Sequence, residues 1–133
     1  MRSKARWHVM LMGIEKLKAL HDGKLIALRY EKSGVIYLEM ETVAAEKLSV
    51  VLAGIYLFAA QNFLEGNIVF EAKVLLPEDV SDDDVDYAAK LEGKDRSAEK
   101  LKQEIASRRL SLFLLEPSYG AEIACICSEI TVT

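Results

Sequence analysis

The side chains best suited to chemistry fall in four places. Asp82, Asp84 and Asp86 alternate within Asp82-Asp83-Asp84-Val85-Asp86, the spacing at which a calcium loop presents its first oxygen ligands. Such a loop also needs a glycine and then a bidentate glutamate, and Tyr87 and Gly93 stand in those positions. Ser81 is a helix N-cap type, and aspartates in a first turn are favoured by the helix dipole, so the tract reads as a capped helix start. Cys125 and Cys127 lie two apart in an apolar run, where a strand sets both on one face without aiming them at each other, and a disulfide between them would be strained. A catalytic thiol needs a base beside it, and the only histidines, His8 and His21, are distant in sequence. Two cysteines without a second ligand pair also make no zinc site.

His21-Asp22-Gly23 sets an imidazole next to a carboxylate, but neighbours in sequence rarely adopt the orienting geometry of a catalytic pair. A helix stop followed by a turn accounts for the triplet. Gly13, Gly23, Gly34, Gly54 and Gly66 are scattered singly, which excludes a glycine-rich phosphate loop. No catalytic residue, metal or cofactor is expected.

The fourth place is the N-terminus, where Arg2, Lys4, Arg6 and Trp7 could grip phosphates and stack on a base. Residues 1–32 carry eight basic against three acidic side chains, residues 33–93 three against twelve, and residues 94–133 six against six. The net charge of -4 and a pI near 5.3 disfavour nucleic acid as the partner. At 51% apolar and 29% charged residues, the 133-residue chain has the composition of one soluble domain, residues 1–133, large enough for a core without metals or disulfides. The N-terminus shows no signal-peptide pattern, and a reducing cytoplasmic setting is the simplest expectation.

The elements that must position these groups are read from periodicity. Trp7, Met10, Leu11, Ile14 and Leu17 recur at helical spacing, although WHVMLM would also serve as a strand. LIALRY and VIYLEM alternate around a turn at residues 31–34, which predicts a hairpin with Ile26, Leu28 and Tyr30 on the face of Ile36, Leu38 and Met40. Thr42 is placed to cap a helix over residues 43–64 that Gly66 would stop. A strand follows with Ile68, Phe70, Ala72, Val74 and Leu76 on one face. A short helix after Ser81 ends at Gly93, and a second over residues 97–109 has Ala98, Leu101 and Ile105 as its stripe. LSLFLL and AEIACICSEITV form a last hairpin. The sum is an α+β fold, a mostly antiparallel sheet of about five strands packed by a central apolar helix and two to three further helices. Hairpins around a central helix resemble, in element order alone, small dimerising α+β adaptor domains such as the roadblock class, with no signature residue matched.

The central run LSVVLAGIYLFAA, residues 48–60, is interrupted only by Ser49 and Gly54. Thirteen residues are too few for a helix to cross a bilayer core, so no membrane span is expected. As a helix the run would have no polar face, and something must cover its second side. That predicts self-association or a protein partner, with Val51, Ile55, Tyr56, Leu57 and Phe58 as the contact. The leading expectation is therefore a non-enzymatic association module, a homodimer or a small subunit of a larger assembly. The alternatives are a small-molecule binder or enzyme with a pocket between sheet and helices, drawing on residues such as His8, Tyr30 and Tyr119, and nucleic-acid binding through the basic N-terminus.

Overall fold

A computed structural model of the chain describes residues 10–94 and 96–133. Its strands are β1 (Met10–Met12), β2 (Lys24–Glu31), β3 (Val35–Glu41), β4 (Lys47–Gln61), β5 (Ile68–Leu75), β6 (Ser111–Tyr119) and β7 (Glu122–Val132). Two α-helices, α1 (Asp82–Glu92) and α2 (Ala98–Arg108), sit between β5 and β6, and a 3₁₀ segment, Ile14–Leu20, precedes β2. The sheet has seven strands in the order β1-β7-β4-β3-β2-β5-β6, and β6 pairs back onto β7. Strands β2 to β7 thus close on themselves, every pairing among them antiparallel, while β1 runs parallel to the C-terminal end of β7. Closure leaves an inside and an outside, and each face has its own core.

Inside lie Leu25, Ile36, Leu38, Met40, Val50, Leu52, Val69, Phe113, Leu115, Ile123, Cys125 and Cys127, all buried, with Leu17 and Leu20 of the 3₁₀ segment packed among them. Outside, Leu57, Leu112, Leu114, Ala124 and Ile126 meet Val85 and Ala88 of α1 and Leu101 and Ile105 of α2. Alternation explains both cores, since successive strand residues serve opposite faces.

The central helix expected over residues 43–64 is a strand. β4 pairs with β3 through its first half and with β7 from Val50 to Gln61. The run lacks a polar face because Val50, Leu52, Ile55 and Phe58 serve the barrel interior while Leu57 and Ala59 serve the helices. Continuous apolar runs of this length fit a doubly covered strand as well as a buried helix, and the β-branched and aromatic residues Val50, Val51, Ile55, Tyr56 and Phe58 favour the strand. Thr42 does hold a backbone N–H through its side chain, but it is that of Glu46 (3.1 Å), closing the β3–β4 turn. The likeness to adaptor domains rested on the central helix and goes with it. The sheet is also larger than the expected five or so strands, because β4 and β1 (residues 10–12) both join it.

Gly13, left-handed at φ +73°, separates β1 from the 3₁₀ segment, so the helix expected over residues 7–20 is replaced by a strand and a tighter coil; residues 7–9 lie outside the described residues. The helices after β5 follow the expectation. Ser81 caps α1 in a reciprocal box with Asp84, Gly93 ends it in the left-handed conformation, and Ser97 caps α2. The two expected hairpins, β2–β3 and β6–β7, are present.

Candidate functional site

Three extra residues in the ladders take large side chains out of the alternation. Ile26 has no opposite in β3, Tyr56 none in β7 and Phe70 none in β6. A bulge of this kind bends its strand and re-aims the extra side chain. It corrects two expected faces, since Ile26 leaves the side shared by Leu28 and Tyr30, and Val69 replaces Phe70 in the core. Tyr56 turns toward the helices, where the guanidinium carbons of Arg96 and Arg108 lie 5.5 and 5.1 Å from its ring centroid. Glu92 and Glu104 hold those arginines at 2.7 and 2.9 Å. Hydrogen bonding to Glu92 also lifts Arg96 above its ordinary pKa. Ile26 and Phe70 remain exposed.

The barrel closes at a narrow seam between β2 and β5. Their ladder contains the single pair Lys24–Ile68, with Leu25 N–H donating to the Asn67 carbonyl (3.1 Å) and Val69 N–H to that of Gly23 (2.9 Å). Beyond Leu25, residues 27–31 of β2 keep β3 on one side and, among the described residues, have no strand on the other. Gly34 N–H donates to the Glu31 carbonyl (2.8 Å), so the backbone groups of Glu31 face β3. Alternation along a strand then leaves those of Tyr30 and Leu28 facing the free edge. Beside this edge Tyr30 is 65% and Ile26 55% exposed.

The loop of residues 62–67 is tied to the same end of the barrel. Asn67 Oδ1 accepts from Leu64 N–H (2.8 Å) and Ala121 N–H (3.0 Å), while the exposed side chains of Phe63 and Leu64 add to the apolar surface. Arg29 crosses the other face of β2, over the Tyr37 ring at 4.0 Å and within 2.7 Å of Glu31 and 3.5 Å of Glu39.

The residues expected at an interface are divided by the fold. Leu57, 2% exposed, is sealed between barrel and helices; Ile55 and Phe58 pack on the inner core; Tyr56 lies under two arginines; and Val51, half-buried, pairs with Tyr37 and Thr131. Where a pocket between sheet and helices was expected, buried aliphatic side chains fill the centre, and clefts of about 340 and 260 Å³ open at the margins, one between Tyr87 of α1 and Glu116 and Glu122 of the sheet, the other between Tyr56 and Leu101. Tyr30 and Tyr119 are both exposed, Tyr119 paired with Ile68 at the end of β6. Arg2, Lys4, Arg6, Trp7 and His8 lie outside the described residues.

The reactive side chains are similarly accounted for. Cys125 and Cys127 are both free and buried, and the hydrogen bond to Cys127, then burial, pushes the Cys125 thiol well up, away from thiolate. His21 Nδ1 donates to the Phe70 carbonyl (2.7 Å) and Nε2 is 3.6 Å from Asp22, both side chains open to solvent. A shallow groove runs between β5 and the 3₁₀ segment, formed by adjoining clefts of about 370 and 390 Å³ that share Leu17, Lys18, Glu71 and Ala72. Glu15, Lys18, His21 and Glu71 along it are exposed and Lys73 is half-buried. Tyr87 donates to Glu122, and burial first, then that carboxylate, raises its pKa. Among the described residues no three His, Cys, Asp or Glu side chains converge to hold a metal, and Asp82 pairs with Lys102.

The candidate surface is therefore the free edge of β2 with Ile26, Tyr30, Phe63 and Leu64. No sequence signal marked it, because the edge exists only through the way the sheet closes. No helix among the described residues is long and apolar enough to cross a membrane. No known protein family, curated protein or solved structure gives a match to the chain.

Proposed function

We propose that this chain is a non-enzymatic association module, working as a homodimer or as a small subunit of an assembly, and that its contact surface is the free edge of β2. One observation carries the reading: Ile26 and Tyr30 stand largely exposed on a strand whose second edge is unpaired among the described residues. An unpaired strand edge is a template for another chain, and exposed apolar side chains beside it supply the driving force. Of the β4 residues named from the sequence, Ile55 and Phe58 pack on the inner core and Tyr56 and Leu57 on the outer one.

Light scattering coupled to size exclusion, over a concentration series, tests this. A dimer or larger species that dissociates when Ile26→Ser and Phe63→Ser are introduced supports it. A monomer at every concentration refutes self-association.

A further inference from the structure

We infer that two copies of the chain join through β2, edge to edge and antiparallel, about a two-fold axis at Tyr30, an inference that rests on the association reading above. Hydrogen-bond direction supplies the first argument. The backbone groups of Tyr30 face the free edge, so Tyr30 and its symmetry mate can exchange both N–H···O=C bonds.

Charge selects the register. With the axis at Tyr30, Arg29 stands opposite Glu31 of the second copy and Glu31 opposite its Arg29, two opposite-charge pairs on one face. Moving the axis to Arg29 sets two guanidiniums against each other, and moving it to Leu28 sets Arg29 against Ala27. Arg29 and Glu31 already contact each other within the chain at 2.7 Å, so they lie on the same face and reach the partner from there. On the opposite face the two exposed Tyr30 rings meet. The stretch 27–31 contains no proline, one of the usual guards of an exposed edge. An interface of this form is isologous, so it closes at two copies.

The test is the dimer dissociation constant from a dilution series, measured for the unmodified chain, Arg29→Glu, Glu31→Arg and the double variant. Each single reversal creates two like-charge contacts and should weaken the dimer about tenfold, while the double variant restores both pairs and should return the constant to within about threefold. Tyr30→Pro removes an edge N–H and should abolish the dimer while circular dichroism and the melting midpoint report an intact fold. If Tyr30→Pro fails to fold, the charge-reversal set decides alone. A dimer indifferent to the charge reversals overturns the β2 contact and leaves association through another surface. Singles that weaken it without rescue in the double variant overturn the register, and a chain monomeric at all concentrations overturns this dimer together with self-association through any other surface.

Discussion

Leu57→Ala separates the structural role of β4 from a role in association. Leu57 is 2% exposed and packs among Val85, Ala88, Leu101, Ile105 and Ile126. Truncation removes three buried carbons, worth about 2.4 kcal/mol at roughly 0.8 kcal/mol each. A cavity term is added to the extent that the surroundings do not collapse. The helices facing Leu57 carry small residues at Ala88 and Ala98 and can settle partway inward, so the total should be about 3 kcal/mol. Against a typical domain stability of about 5–15 kcal/mol this is a large loss. With a urea slope of about 1.5–2 kcal/mol per molar, the unfolding midpoint should fall by about 1.5–2 M. Oligomeric state, compared under conditions where both proteins are folded, should not change. A Leu57→Ala protein that keeps its midpoint but loses a dimer would refute the placement of Leu57 inside the chain.

Further substitutions test other parts of the fold. Gly54→Ala forces a left-handed φ of +64° on alanine and sets its Cβ 1.9 Å from Ser128 Oγ, so it should cost at least about 2 kcal/mol; Ser128→Gly should recover only the steric share, and an unchanged melting midpoint for Gly54→Ala would contradict the bulged path of β4. Asn67→Ala leaves Leu64 N–H and Ala121 N–H without their acceptor and should cost about 2–3 kcal/mol, whereas Asn67→Asp keeps an acceptor oxygen and should lose less, an order that chemical denaturation can verify or reverse. Tyr87 has a raised pKa, so the folded chain holds its proton where an unfolded tyrosine, near pH 10, has lost it. Its contribution is intact below about pH 10 and is lost as the pH climbs beyond. Tyr87→Phe should flatten that alkaline decline, leaving the fall that Cys125 begins above its ordinary value near 9; an equally steep decline in the variant would remove Tyr87 as its source.

How far the fold was legible depended on whether an element announces itself locally. The capped starts at Ser81 and Ser97 and the stop at Gly93 are local chemistry, and they came through with the helices they bound. The β2–β3 hairpin was equally plain, because its alternation and its turn agree. Residues 48–60 misled because hydrophobic period carries no information once both faces of a strand are covered, and that cover comes from closure of the sheet through β6 and β7 on one face and from α1 and α2 on the other, all distant in sequence. The interface expected on Val51, Ile55, Tyr56, Leu57 and Phe58 inherited that error. The run does need cover on two sides, and the fold supplies that cover itself.

The bulges connect this misreading to the surface proposed for association. In a regular ladder Ile26 and Phe70 would follow the alternation into the barrel, as the sequence pattern expects. One extra residue in each of β2 and β5 instead leaves both side chains in solvent while Leu28, Val69 and Ala72 take the inward positions. The same distortions lie on the two strands of the seam, where pairing is reduced to Lys24–Ile68. β2 and β5 run antiparallel with Lys24 opposite Ile68, so residues 27–31 lie alongside the loop of residues 62–67 that precedes β5, and because that loop forms no strand their edge stays open. Restoring regular pairing at Ile26 should turn its side chain into the barrel and take it out of the association surface while leaving the open edge of residues 27–31 in place.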